Sequence, residues 1–184
     1  SEANIYSSIS AAICALWGPL HGGANQAVVA DLERFAREKT DIRKIIGEVK
    51  NKKRKLMGFG HRVYKNFDPR AAILKEACYK IVNKHGCTDP LFDVAMRIEE
   101  MAAADDYFLS RKLYPNVDFY SGLILRAIGI PVNMFTVIFA IGRMPGWLAQ
   151  WKEMYDSPNK KINRPRQIFT GKTLNHYIPM SARK

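Results

Sequence analysis

The sequence has few cysteines, no long apolar run and no stretch of alternating polar and apolar residues. Its three cysteines lie at Cys14, Cys78 and Cys87 without CxxC spacing, and two of them fall in apolar periodic stretches that favour buried free thiols. This usage indicates a reducing compartment and no structural metal. The longest apolar run, residues 134–141, is too short to cross a bilayer, and the N-terminus lacks the features of a signal peptide. We therefore expect a soluble protein with no membrane partner.

Acidic residues are also outnumbered by basic residues, which gives a formal net charge of +12 and a pI near 9.7. Such a charge attracts polyanions, but the cations gather only at residues 50–55 and from Lys160 onward. The chain has no RNP-like aromatic motif, zinc-finger spacing or KH-type loop. For residues 50–55 this favours a solvated helix end over a nucleic-acid patch. Neither an HExxH-type metal pattern nor a dinucleotide fingerprint is present, so we expect no nucleic-acid partner and no metal.

Apolar residues recur at intervals of three and four, which predicts an all-α fold. Gly18 and Pro19 end the first helix, while Asp68 and Pro69 provide the cap and first position of another. The predicted helices cover residues 5–16, 27–36, 42–49, 69–81, 91–102, 117–128, 133–142 and 145–155. Beyond Asp156, prolines interrupt the pattern, so the basic tail is either disordered or wraps over a neighbour.

The segment from Gly58 to Arg70 brings together a flexible glycine turn, the imidazole of His61 and three cations. This grouping suits an anionic substrate whose carbonyl must be polarised. Arg70 lies in the first turn of a helix, where a cation opposes the dipole by about 0.3 to 1 kcal/mol unless an anion binds beside it. The alternative is that Arg70 pairs with Asp68 or is solvated. The other two cations, Arg62 and Lys65, are candidate phosphate contacts or ordinary surface residues.

Two further segments supply a second histidine and a carboxylate. His21 precedes two glycines and a helix, so the helix dipole disfavours its protonated form and leaves a neutral hydrogen-bond donor. Asp118 stands among apolar residues, where partial desolvation would raise its pKa and strengthen it as a base. The alternatives are a histidine that packs a turn and a carboxylate that stabilises a helix start. Arg143 is predicted at a helix C-terminus, where dipole complementarity alone could explain it.

Taken together, the segments resemble the citrate synthase family. The matching stretches, in chain order, are residues 18–25, 57–70, 115–122, 134–143 and 164–171. They correspond to the C-terminal part of the family, somewhat under half of a full-length enzyme. The resemblance implies an all-α two-domain fold, with residues 22–131 as the small domain and residues 1–21 and 132–184 in the large domain. It also implies a homodimer or a higher even oligomer whose active sites form between domains.

The resemblance assigns roles to the candidate residues. Asp118 would take a proton from the methyl group of acetyl-CoA while His21 hydrogen-bonds the thioester oxygen. His61 would polarise the oxaloacetate carbonyl and supply a proton, and hydrolysis would release citrate and CoA. The substrate carboxylates would be held by Arg70, Arg143 and, from the partner subunit, Arg164. CoA would be held by the loop of residues 56–65, including Gly60, Arg62 and Lys65. Acetyl-CoA is then a cosubstrate, with no permanently bound cofactor.

Two alternative functions remain open at this point. A 2-methylcitrate synthase would use propionyl-CoA with the same catalytic groups, and one methylene in a pocket is worth only about 1 to 3 kcal/mol. A noncatalytic basic helical module would bind polyanions in a salt-dependent manner and tolerate Asp118→Asn. The family's place in the tricarboxylic acid cycle implies a bacterial cytoplasm or an organelle matrix.

The chain by itself is expected to be inactive and to associate through exposed apolar groups. The large side chains expected at this surface are Trp17, Phe135, Phe139, Trp147 and Trp151.

Overall fold

The computed structural model describes residues 1–64, 66–85, 89–162 and 164–183. Its helices are α1 (Ile5–Leu16), α2 (Ala24–Arg37), α3 (Ile42–Lys50), α4 (Pro69–His85), α5 (Pro90–Ala103), α6 (Asp106–Ser110), α7 (Val117–Ala127) and α8 (Phe135–Asp156). Short 3-10 turns cover Val132–Met134 and Met180–Ala182. The described residues contain no strand beyond an isolated antiparallel bridge between Phe59 and Pro115. The all-α prediction is therefore confirmed.

Local capping explains where several helices begin. Asn4, Asp41, Asp89 and Asp105 each accept a hydrogen bond from a backbone N–H in the first turn of the helix that follows. The Asp105 cap starts α6, which we did not predict because five residues are too few to show a helical period.

The predicted break between two C-terminal helices is wrong. Helix α8 runs without interruption past Pro145, so Arg143 lies in the interior of a helix and not at its end. Proline removes the donor that would bond the carbonyl of Ile141. Ile141 is an exposed residue, and a carbonyl freed on the solvent side of a helix can bond water instead.

We predicted that no segment could cross a bilayer because the longest apolar run, residues 134–141, is too short. The continuous helix contradicts that reason. The helix at residues 132–156 is long and apolar enough to cross a bilayer by length and composition. This is weak evidence for a membrane span, since helices packed inside soluble proteins meet the same criteria. Arg143 near its middle opposes insertion, because an arginine at the centre of a membrane helix costs about 2.5 to 3.5 kcal/mol.

The main core lies among α2, α3, α4, α5 and α7. Helix α7 packs on both α2 and α4, and its Phe119 and Leu123 are buried there. An added Cβ at Gly122 would lie 2.9 Å from the carbonyl oxygen of Asn25, so this glycine lets α7 approach α2. Arg126 then joins three elements, since it bonds Glu33 of α2 and the α5 cap Asp89, each at 2.5 Å. The core thus fixes α7 relative to its neighbours.

Helices α1 and α8 pack on each other and form a second layer. The hydroxyl of Thr136 donates to the carbonyl of Gly22 at 3.1 Å, which ties α8 to the start of α2. Much of this layer is open to solvent, and Trp17 is 79% exposed as expected. The prediction for Phe135 is wrong, because this first residue of α8 is fully buried in the main core. The predicted aromatics Phe139, Trp147 and Trp151 are partly buried.

The total accessible surface is far larger than the mass would suggest. The chain exposes 13632 Å², whereas a compact monomer of 20.9 kDa would expose about 9,000 Å². The excess reflects the open α1 and α8 layer together with the tail, whose described residues from Pro158 onward are all exposed. Whether the tail wraps over a neighbour stays a prediction, as do domain boundaries at residues 21/22 and 131/132.

Candidate active site

Asp118 is the centre of the site. It is the second residue of α7, half-buried, and its N–H donates to the side chain of Asn116, which caps the helix. Desolvation by burial raises the pKa of Asp118, while Arg70, His21 and His61 act against this shift through their charges. The expected direction of the pKa shift is confirmed. Two histidines and an arginine, from two other segments of the chain, therefore act on this one carboxylate through their charges.

The turn that precedes His61 depends on two glycines. Gly58 and Gly60 adopt φ angles of 82° and 79°, which side-chain-bearing residues rarely take. An added Cβ at Gly58 would lie 2.9 Å from Val28, and one at Gly60 would lie 3.0 Å from Leu113. Both glycines are therefore required by backbone conformation and by close packing, and together they fix the direction in which the chain enters His61.

The hydrogen bonds of His61 define its tautomer. Its Nδ1 accepts from the backbone N–H groups of Val63 and Tyr64, both at 3.0 Å. Because Nδ1 faces two donors, the proton of the neutral ring lies on Nε2. That nitrogen is 3.5 Å from Nη2 of Arg70, which is also a donor. Two donors this close together suit a single oxygen acceptor, such as a carbonyl or carboxylate oxygen of a bound molecule.

Arg70 forms a bidentate pair with Asp68, so the alternative that we kept open for it is confirmed. Its Nε donates to Oδ1 of Asp68 at 3.0 Å and its Nη2 to Oδ2 at 2.9 Å. The side chain of Asp68 is 1% exposed, and its bonds to Arg70 lower the pKa of that carboxyl group. Among the described residues nothing is bonded to Nη1 of Arg70. The side chain is 52% exposed, so its Nη1 is open to an anion.

His21 lies in the turn between α1 and α2, three residues before α2 begins. Its Nδ1 is 3.3 Å from the carbonyl oxygen of Ala15, which can only accept, so the proton of the neutral ring lies on Nδ1. The ring packs edge-on against Phe139 of α8, with centroids 6.2 Å apart. The guanidinium of Arg143 lies 5.8 Å from the centre of the Phe139 ring. His21 and Arg143 thus both border Phe139.

The remaining predicted residues are not brought to this centre. Arg62 and Arg164 are exposed, and within the described part of the chain neither forms a hydrogen bond or ion pair. Lys65 lies outside the described residues. The N–H of Gly60 donates to the carbonyl of Tyr114 at 2.8 Å, and the carbonyl of Gly60 accepts from Asn116. Gly60 therefore uses its backbone groups mainly to hold its own loop.

Sequence reasoning missed several residues that shape the site. Asn116 was detectable, because an asparagine just before a helical period is a cap signal. Tyr64 and Phe139, which contact the two histidine rings, carried no such signal, since an isolated aromatic residue usually indicates packing.

A cavity of about 400 Å³ adjoins the turn that leads to His61. Its apolar lining includes Leu56, Phe59 and Phe108, and its basic side is formed by residues 52–55. Such a combination accommodates a flat ring with nearby phosphates. In the part of the chain that is described, no three histidine, cysteine or acidic side chains are grouped as a metal site would require.

Comparison with known proteins gives a consistent result. Residues 1–166 match the family described as citrate synthase, C-terminal domain. The whole chain is 57% identical to citrate synthase 1 of Mycobacterium tuberculosis and 54% identical to the citrate synthase of Corynebacterium glutamicum. It covers 43% and 42% of those proteins, so it spans less than half their length.

Solved structures agree with the sequence relatives. The citrate synthase of the archaeon Thermoplasma acidophilum, in a ternary complex with carboxymethyl coenzyme A and oxaloacetate, superposes with a TM-score of 0.78 and 35% identity. The match covers 98% of this chain and 47% of that one. Citrate synthase from Thermotoga maritima gives a TM-score of 0.76 and 36% identity over 99% of this chain and 48% of its own. The chain belongs to the citrate synthase family and corresponds to the C-terminal part of its members.

Proposed function

We propose that this chain supplies the catalytic groups for condensing acetyl-CoA with oxaloacetate, in a protein that also contains the part preceding the matched region in its relatives. The observation that carries the proposal is the half-buried Asp118, with its raised pKa and two histidines and an arginine around it. The ligands in the Thermoplasma acidophilum complex support the choice of substrates.

In the first step, Asp118 takes a proton from the methyl group of acetyl-CoA. A raised pKa makes this carboxylate a stronger base than an exposed aspartate. Negative charge develops on the thioester oxygen, where a hydrogen-bond donor stabilises it. In the structure the Nδ1–H of His21 faces the carbonyl of Ala15 in an exposed turn. When substrate binds, this N–H would leave that carbonyl and donate to the thioester oxygen.

In the second step, the new enol carbon attacks the carbonyl carbon of oxaloacetate. The Nε2–H of His61 donates to the carbonyl oxygen as it becomes the hydroxyl of citrate. The open end of Arg70 binds a neighbouring carboxylate, while Asp68 holds the guanidinium in place. Arg143 and the Arg164 of a partner subunit are proposed for the other carboxylates. Hydrolysis of citryl-CoA then releases citrate and CoA.

The cavity beside Phe59 is proposed for the nucleotide end of CoA. Its apolar floor suits adenine, and the cations at residues 52–55 suit phosphate. Because the N–H of Gly60 already bonds Tyr114, recognition of adenine by backbone groups would depend on neighbouring residues. Arg62 and Lys65 are proposed as additional phosphate contacts.

A chimaera tests the proposal. Joining this chain to the preceding part of the Mycobacterium tuberculosis relative should give an enzyme that releases CoA when both substrates are present. Asp118→Asn should lower kcat by about 10²- to 10⁴-fold, the usual contribution of general acid–base catalysis, while oxaloacetate affinity measured by calorimetry changes little. The matched control is Asp93→Asn, which alters an exposed first-turn aspartate of α5. Equal turnover in the two variants would remove Asp118 from the mechanism.

The same chimaera can separate the two acyl substrates. The ratio of kcat/KM for acetyl-CoA and propionyl-CoA reports directly on a one-methylene difference. A preference for propionyl-CoA would make the enzyme a 2-methylcitrate synthase.

Subunit mixing tests the proposed dimer. An Arg164→Ala subunit and a His61→Ala subunit, each inactive alone, should regain activity together if Arg164 acts in the neighbouring site. Mixed dimers that stay inactive would contradict the assignment.

A further inference from the structure

We infer that Asn116 is a positioning residue that sets the location of His61 relative to Asp118. Its side chain bonds both the helix that carries Asp118 and the loop that carries His61. The catalytic meaning of this link rests on the function proposed above, while the link itself can be tested without any activity.

The amide of Asn116 uses both of its ends. Its Oδ1 accepts from the N–H groups of Asp118 at 3.0 Å and Phe119 at 3.4 Å. Its Nδ2 donates to the carbonyl of Gly60 at 2.9 Å, across 56 positions of the chain. One end faces donors and the other faces an acceptor, so only this orientation of the amide satisfies all three bonds.

Backbone bonds bring the two segments together, but they do not reach His61. The N–H of Gly60 donates to the carbonyl of Tyr114, and the N–H of Asn116 donates to the carbonyl of Gly58 at 2.9 Å. The Asn116 amide instead holds the carbonyl of Gly60, which belongs to the peptide unit that leads into His61. Losing it should therefore loosen this peptide and weaken the adjoining bond from the Gly60 N–H to Tyr114, while the bond from Asn116 to Gly58 still holds the two segments together.

Helix capping alone does not require an asparagine at this position. Serine and aspartate cap helices about as well, because each offers a side-chain oxygen to the first-turn N–H groups. Neither can also donate to Gly60, since a serine side chain is too short and an ionised aspartate has no donor. Asparagine combines the cap oxygen and the donor in one planar group, which fixes the separation of the two segments.

The test uses Asn116→Ser and Asn116→Asp, both of which keep the cap and lose the donor. The matched control is Asn4→Ser, because Asn4 caps α1 through the N–H of Ser7, and that is its one side-chain bond to a described residue. Far-UV circular dichroism should show intact helices in all three variants. Hydrogen exchange of the Gly60 N–H should become about 2- to 10-fold faster in both Asn116 variants, the effect of one ordinary hydrogen bond, and stay unchanged in the control.

A second measurement reports on the catalytic groups themselves. In the wild-type chain His61 acts to lower the pKa of Asp118, against the larger effect of burial. If Asn116→Ser lets His61 move away, carboxyl ¹³C titration should give a higher pKa for Asp118. In the active chimaera the same variant should lower kcat by up to about 100-fold, as small misplacements of catalytic groups do, with little change in KM.

The outcomes separate the inference from the proposed function. Unchanged exchange at Gly60 in both Asn116 variants, together with an unchanged Asp118 titration in Asn116→Ser, would overturn the inference, whatever the activity. If exchange at Gly60 becomes faster in the Asn116 variants but their kcat equals that of the Asn4→Ser control, only the catalytic part of the inference is overturned. An inactive wild-type chimaera would count against the proposed function, and the exchange and titration results would still decide the role of Asn116.

Discussion

Gly122→Ala provides a direct test of the packing that places Asp118. Gly122 lies one helical turn after Asp118, where α7 meets α2. The added Cβ would approach the backbone oxygen of Asn25 to 2.9 Å and Cγ2 of Val29 to 3.0 Å. A backbone oxygen cannot rotate away as a flexible side chain can, so the helices must separate. Overpacking of this kind costs about 1 to 3 kcal/mol. The higher helix propensity of alanine offsets about 0.8 to 1.0 kcal/mol of it.

The chain provides a matched control for the propensity contribution. Gly47 also lies inside a helix, and an added Cβ there meets nothing within 4 Å. Gly47→Ala should therefore stabilise the fold by about 0.8 to 1.0 kcal/mol. The difference between the two variants isolates the overpacking cost, about 1 to 3 kcal/mol. Urea unfolding followed by far-UV circular dichroism measures both free energies. Equal stabilisation by the two substitutions would refute the close approach of α2 and α7.

Three further predictions follow from burial and charge. Because burial raises the pKa of Asp118, its ionised form weakens the fold above the folded pKa, so Asp118→Asn should increase the free energy of unfolding at pH 7. This gain should vanish below about pH 3.9, where the unfolded carboxyl is also protonated. Asp68 behaves oppositely, since Arg70 lowers its pKa. Asp68→Asn should lower the free energy of unfolding by about 1 to 3 kcal/mol at pH 7. The difference in stability between this variant and the wild type should disappear as the pH falls through the folded pKa of Asp68. Urea titrations at several pH values check both signs. Burial also raises the pKa of Cys78 to about 11, so iodoacetamide at pH 8 should modify exposed Cys14 and spare Cys78 until urea is added, as peptide mass spectrometry will show.

Local signals explain what the sequence predicted well. The run from Ile5 to Leu16 forms the expected helix, and α4 starts at Pro69 as its cap and proline indicate. The raised pKa of Asp118 also follows from its apolar neighbours in the chain. In each case the relevant interactions lie within a few residues of one another.

The errors arose where distant contacts decide the structure. Pro145 usually ends a helix, yet exposure of the preceding turn allows α8 to continue. The close packing of the turn at Gly58 gave no local signal, because its neighbours Val28 and Phe119 are remote in sequence. The packing of His21 on Phe139 depends on two segments more than a hundred residues apart, a distance that periodicity does not address.

The pairing of α1 with α8 also affects how the chain is made. Leu16 and Phe135, where the two helices end and begin, are about 120 residues apart. At ribosomal rates of about 5 to 20 residues per second, about 6 to 24 seconds pass between the synthesis of α1 and the start of α8. Helices α2 to α7 can assemble their core during this interval, while α1 still lacks the partner that it packs against in the finished fold. Chaperones that bind exposed apolar helices therefore have their longest opportunity on this chain at α1.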